Sequence, residues 1–370
     1  MNFVVVGGGI SGLVAAWKLR EAMPEADICL LEQAPELGGL LAGDFYPKHN
    51  LAFDRGTHIF QELGVSELDR FIMDSVDTTD LLVYPQTVGD VSGIVFQDKL
   101  QNYSHFPDLR SLPAPVDFVE QLHQQARLVG TPCPIDRTAP LSVEATRRFG
   151  EKYALEVLLP LLAHTYCRPK EELAAFSMVL PGLTRAVVDD YDDWLVNKKH
   201  GGYREIIGIP DQQRLPSELW HGRRSYYSRH YGSRGVVDAV VRRLQSQGVD
   251  LHTSSRVTAL NPEKSTIAWT DGQGISHHIA YSGMVLATGV IGSAIMLKFP
   301  FDRRGFEAPL AHHLIHYKLS CPSDSSLCYF YSLDLKRDWY RTTNYRAFSG
   351  DPQDRRITVE VLGRPLPNPN

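Results

Sequence analysis

The sequence predicts an α/β fold: a doubly wound parallel sheet assembled from two separated stretches of chain, with an α+β domain inserted between them. Three observations carry this. A buried strand at the start of the chain turns through glycines into a helix; a second apolar strand follows and ends in an acid; and a helix and buried strand return far downstream, after a long run of proline-broken helices. At 370 residues the chain exceeds the size at which one hydrophobic core stops growing, so two interlocked domains are expected. Residues 1–62 and 225–295 are assigned to the first, and 63–224 and 296–370 to a substrate or cap domain.

The first element spans Asn2 to Gly7, where Phe3, Val4, Val5 and Val6 are consecutive and apolar, the pattern of a parallel strand buried on both faces. Gly7, Gly9 and Gly12 then satisfy GxGxxG, and Leu13, Ala16, Trp17 and Leu19 keep helical spacing until Pro24 ends the helix. Each glycine has its own task. Gly7 permits the tight turn, Gly9 lets backbone approach a diphosphate without an intervening Cβ, and Gly12 allows the helix to pack closely on the strand. The free N–H groups at the helix start, with Ser11 among them, face the phosphates.

The second strand, Asp27 to Glu32, closes the βαβ unit. Glu32 lies 20 residues after Gly12, where a carboxylate binds ribose hydroxyls and a 2′-phosphate is disfavoured. The ligand expected from these residues is an ADP-ribose of the FAD or NAD kind.

Three stretches taken together, "VVVGGGISGLVAAWKL", the acid in "LLEQ", and "ELGGLLAG", resemble the start of the flavin amine oxidase, protoporphyrinogen oxidase and UDP-galactopyranose mutase superfamily. The resemblance implies a Rossmann-like FAD-binding domain in which Gly38 and Gly39 lie beside the flavin diphosphate. The family commonly follows this glycine pair with arginine; here Leu40 and Leu41 follow. "FDRGTHIFQE", 53–62, resembles the family's segment along the flavin ring, which implies that Gly56 approaches the isoalloxazine and His58 sits near ring or substrate.

The likeness continues downstream. In 225–260 an amphipathic helix through Val236, Val237, Val240, Val241 and Leu244 leads to "SRVTAL", where the family's match to Val257 contacts adenine through its backbone. A hairpin turning at Asp271-Gly272 precedes "GMVLATG", 283–289, read as a further central strand. No second GxGxxG with an acid follows, so the single dinucleotide implied is FAD.

The substrate half reads as helices over 66–76, 115–130 and 143–166, then four antiparallel strands within 312–321, 326–334, 339–348 and 355–362. Within these strands, the resemblance implies a catalytic role near the flavin for Lys318, which reads equally as a solvated strand lysine. It also places Arg341 and Arg356 where galactopyranose mutases bind a substrate diphosphate, a task suited to the planar guanidinium fork. Tyr317, Tyr329, Tyr331, Tyr340 and Tyr345 are candidate pocket residues, or core.

Composition bounds the rest. A net charge of −5 without a basic patch argues against nucleic acid. Five scattered cysteines fit a reducing compartment, and no apolar run reaches membrane-span length, so a cytoplasmic protein is expected. No metal site is expected, because neighbouring histidines at 277–278 and 312–313 point to opposite faces of a strand.

The function the resemblance implies is an FAD-dependent oxidoreductase that takes hydride from a C–N or C–C unit of a small molecule. A redox-neutral mutase acting on a nucleotide sugar, and a non-catalytic relative of the fold, are the alternatives. Substrate and oligomeric state are left open. The family usually closes with a strand and a helix against the flavin, whereas this sequence runs from "RRITVEVL" into "GRPLPNPN". Weak FAD binding and a largely colourless protein are the corresponding expectation.

Overall fold

The computed structural model describes residues 1–84, 91–112, 116–130, 132–179, 181–220, 222–305 and 310–363. Most of "GRPLPNPN" lies outside them. The chain divides into two compact units, 1–83 with 223–308 and 84–222 with 309–370.

The first unit is built on four parallel strands. β1 (Asn2–Val6) leads through the glycine turn into α1 (Ile10–Ala22) and back into β2 (Asp27–Leu31). Much later α2 (Ser233–Ser246) leads into β3 (Asp250–His252), and β4 (Gly283–Leu286) completes the sheet in the order β3-β2-β1-β4. "GMVLATG" therefore joins the sheet of "NFVVVG", with Phe3 opposite Gly283 and Val6 opposite Leu286.

The uninterrupted apolar run of β1 has a direct cause: Val5 packs under α1 and α2, while Val4 and Val6 pack on the opposite face. That opposite face is covered by an antiparallel three-stranded sheet, Arg256–Asn261, Thr266–Thr270 and Ser276–Ala280, through Ile267 and Trp269. A doubly wound sheet was expected to carry helices there.

The helix Ser66–Met73, assigned from sequence to the substrate half, packs in this first unit. Phe71 is buried and stacks on Trp17, with ring centroids 4.0 Å apart, so its apolar face has its partner in α1. Residues 63–83 and 296–308 accordingly fall with the first unit.

The second unit combines a helical core with a six-stranded sheet. The strands are His312–Lys318, Arg356–Leu362, Arg341–Asn344, Tyr329–Ser332, Ser92–Phe96 and Lys99–Asn102, in that order. All pairings are antiparallel except Tyr329–Ser332 with Ser92–Phe96.

Two expected elements differ. The stretch 339–348 is a strand only to Asn344; Tyr345–Ser349 is a helical turn that buries Tyr345 and Phe348. The stretch 143–166 breaks at Gly150, whose φ of +84° ends Leu141–Phe149, before a helix resumes and runs through a π turn at Ala154–Leu158. Pro160, one residue into the segment after that turn, lacks an N–H donor, and the widened turn absorbs the mismatch. No helix among the described residues is long and apolar enough to cross a membrane.

Candidate dinucleotide site

At the carboxyl end of β1 the chain reverses into α1 through Gly7, Gly9 and Gly12, and the space around each differs. Gly7 has φ +106°, and a Cβ there would meet the Ala287 carbonyl oxygen at 2.7 Å. A Cβ on Gly12 would lie 1.8 Å from the Gly7 carbonyl oxygen, so no side chain fits without opening the turn. A Cβ on Gly9 would meet nothing within 4 Å. The middle glycine thus faces open space at the head of a 13-residue helix that has no side-chain cap and no acid in its first turn. Uncapped amide donors beside an open backbone face suit an anion. Ser11 is exposed in that first turn.

Glu32 follows β2 directly and is built into the turn. Its Oε2 accepts the Gly8 N–H at 2.7 Å and its Oε1 the Ala34 N–H at 2.8 Å. A carboxylate offers about four lone-pair positions, so two remain for ligand hydroxyls. The Ser255 amide donates to the Glu32 carbonyl at 2.7 Å, bringing the strand that carries Val257 against this end of β2. Val257 sits at a bulge, opposite Trp269.

The second glycine pair closes on the first. Gly38 donates to the Gly8 carbonyl at 2.7 Å and bridges to Gly9. A Cβ on Gly39 would lie 3.4 Å from the Gly9 Cα. Gly7, Gly9, Ser11, Gly12, Glu32, Gly38 and Gly39 therefore gather around one turn.

Gly56 is buried in the turn after the strand Leu51–Phe53, and the His58 Nε2 lies 3.1 Å from the Arg55 carbonyl. Their neighbour Asp54 belongs to the same segment, 53–62, in which the sequence reading gave it no role. It is 1% exposed and accepts from Tyr227 Oη at 2.7 Å, Ser233 N at 2.9 Å and Ser233 Oγ at 2.7 Å. Burial pushes its pKa up against these hydrogen bonds, which oppose the rise. The segment marks Asp54 but not its partners, which lie more than 170 residues away.

The remaining predicted residues lie in the second unit. Lys318 is exposed at the end of an edge strand. Arg341 is held within its own sheet: its Nε and Nη2 bind the Glu360 carboxylate at 2.6 and 2.9 Å, and its guanidinium lies 5.7 Å from the Tyr331 and Tyr340 ring centroids. Glu360 is fully buried, and His312 Nε2 stands 2.8 Å from Oε2, the oxygen that also accepts from Arg341 Nη2. Arg356 is likewise held, with Nη2 2.7 Å from Asp354 Oδ2 and its plane 4.7 Å from the Tyr345 centroid. Both forks are taken by internal carboxylates, because a buried guanidinium needs a paired charge. Tyr345 is core, 1% exposed, whereas Tyr317 is 48% exposed.

The second unit also holds a cavity of about 450 Å³ lined by His123, Arg127, His200 and Tyr203. The His123 Nε2 stands 2.9 Å from Asp189, which also accepts from Tyr203 Oη.

Residues 5–72 match the NAD(P)-binding Rossmann-like domain family. No curated protein matches the chain by sequence. Among solved structures the chain is similar to a reduced UDP-galactopyranose mutase, with a TM-score of 0.65 and 16% identity over 99% of this chain and 74% of that one. It is also similar to a proposed protoporphyrinogen oxidase from an Exiguobacterium species, at TM-score 0.60 and 16% identity over 97% and 76%. A variant putrescine oxidase gives TM-score 0.53 and 13% identity over 98% and 75%. The chain shares their fold, an α/β architecture with a Rossmann-like domain and a parallel sheet.

Proposed function

We propose that this chain, which carries a Rossmann-like dinucleotide domain and shares the fold of those three proteins, is an FAD-dependent oxidoreductase. The observation that carries the reading is the turn itself: uncapped amides at the head of α1, the open face of Gly9, and Glu32 locked beside them. On this reading Gly9, Ser11 and Gly12 hold the cofactor diphosphate, and Glu32 holds the adenosine ribose through its remaining lone pairs. Gly38 and Gly39 buttress the diphosphate turn, Val257 offers backbone to the adenine, and Gly56 and His58 stand at the flavin end. When bound, FAD supplies the hydride acceptor, and the substrate is a small molecule with an oxidisable C–N or C–C unit.

A nucleotide-sugar mutase would need free arginines for a second diphosphate. Arg341 and Arg356 are paired with Glu360 and Asp354, which weighs against it. Thermal unfolding with FAD, NAD⁺ and UDP added separately tests the reading. It predicts a rise with FAD, equivalent to about 2.7 kcal/mol at a hundredfold excess over Kd, larger than any rise with NAD⁺ and with none from UDP. A rise with UDP favours the mutase, and a rise with NAD⁺ but not FAD overturns the flavin assignment.

A further inference from the structure

The anion site around Gly9 lacks a cation in its own motif. The first turn of α1 contains no lysine or arginine, and Leu40 and Leu41 follow the second glycine pair, Leu40 being 71% exposed. A dinucleotide diphosphate carries two negative charges, and helix-end amides supply only about half a positive charge. A guanidinium reaches this place from a different segment. Arg55 follows the strand Leu51–Phe53 and Asp54, and its Nη1 donates to the Gly39 carbonyl at 3.3 Å. Gly39 is the residue whose Cβ direction meets the Gly9 Cα at 3.4 Å.

The orientation of Arg55 is fixed on its other side, where Nε donates to Asp44 Oδ1 at 2.8 Å. Two of the five guanidinium N–H groups are thereby used, and three have no partner among the described residues. Arg234, which reaches the Ala42 carbonyl nearby, already faces two carboxylates, Glu36 at 2.5 Å and Asp238 at 3.5 Å. Arg55 faces one, and its side chain is 35% exposed.

We propose that Arg55 is the cation that binds the cofactor diphosphate at the Gly9–Gly39 face, with Asp44 as the arm that positions it. The proposal rests on the dinucleotide reading above. Asp44 acts in two opposing ways, orienting the fork while placing a negative charge near the anion. Removing its charge alone leaves Arg55 held by the Gly39 carbonyl and more available.

The test is equilibrium binding of FAD, ADP and adenosine to the native protein and to Arg55→Gln, Arg55→Lys and Asp44→Asn, with folding checked by circular dichroism. ADP carries the diphosphate without the flavin, and adenosine carries neither. Arg55→Gln weakens FAD and ADP alike by about tenfold or more, the range for a charged hydrogen bond, and leaves adenosine unchanged. Arg55→Lys recovers part of the loss, since the charge returns without the fork. Asp44→Asn binds FAD and ADP as tightly as native or tighter. Several outcomes overturn the proposal: Arg55→Gln affinities within twofold of native, a loss for FAD but not ADP, an equal loss for adenosine, or a loss in Asp44→Asn matching that in Arg55→Gln. A native protein that binds neither FAD nor ADP overturns the dinucleotide reading itself.

Discussion

Glu32 and Gly8 are joined by a hydrogen bond, the Glu32 Oε2 accepting the Gly8 N–H at 2.7 Å. The acid at the end of β2 is thus part of the glycine turn after β1, and one side chain serves both the fold and the proposed ligand. Glu32→Ala should destabilise the ligand-free protein by about 1–3 kcal/mol, since the Gly8 and Ala34 amides lose a charged acceptor, and should weaken FAD binding besides. Chemical denaturation without FAD and titration with FAD read the two effects separately. Unchanged ligand-free stability would show that the turn does not depend on Glu32.

Gly9 and Gly12 should part company under the same substitution. Gly12→Ala places a methyl group 1.8 Å from the Gly7 carbonyl oxygen and should cost several kcal/mol, enough to unfold the first unit or open its turn. Gly9 has φ −68° and open space at its Cβ, so Gly9→Ala should fold with a loss of about 1 kcal/mol or less while FAD affinity drops at least tenfold. Equal stability loss in both variants, measured by urea unfolding, would contradict this division of labour.

The glycine turn was legible because its signals are local. Glycine spacing, the apolar run of β1 and the position of Glu32 report directly on backbone space and strand burial. The pairing of Gly283–Leu286 with β1 was also legible from its apolar run, though the sequence reading made it a central buried strand and it stands at the end of the sheet order with all four residues half-buried. Most of what escaped was set by partners distant in sequence. Arg341 reads as a free arginine until the fold places Glu360 across from it, whereas Arg356 is paired with Asp354 only two residues before it, a local partner that the sequence reading passed over. Arg55 gave no signal, and Asp54 stood in the segment 53–62 without an assigned role, since Tyr227, Ser233 and the Gly39 carbonyl come from elsewhere in the chain. Tyr345–Ser349 carries strand-prone residues, yet burial of Tyr345 and Phe348 decides for a helical turn.

The buried Arg341–Glu360 pair should show the asymmetry of internal ion pairs. Arg341→Met or Glu360→Leu alone leaves an uncompensated buried charge and should cost about 3–5 kcal/mol, whereas the double variant should cost less than the sum of the two. A double-mutant cycle by thermal unfolding measures the coupling, and strictly additive losses would contradict it.

The same pair gives a pH dependence with a definite sign. Burial raises the pKa of Glu360, but hydrogen bonds from His312 and Arg341 outweigh it and hold the carboxyl below its ordinary value of 4.5. A depressed folded-state pKa contributes stability that is complete above the unfolded value and is lost as pH falls through the folded one. The native protein should therefore lose stability below about pH 4.5 more steeply than the Arg341→Met/Glu360→Leu variant. Parallel acid limbs in the two unfolding profiles would contradict the assignment.

The central claim is that the turn between β1 and α1 holds a flavin dinucleotide, and titration of FAD followed by the fluorescence of the flavin tests it most directly. The account predicts saturable binding at one FAD per chain, competed by ADP and lost in Gly9→Ala, with no competition by NADP⁺, whose 2′-phosphate meets Glu32. No saturable FAD signal, or binding untouched by Gly9→Ala in a folded protein, would contradict it.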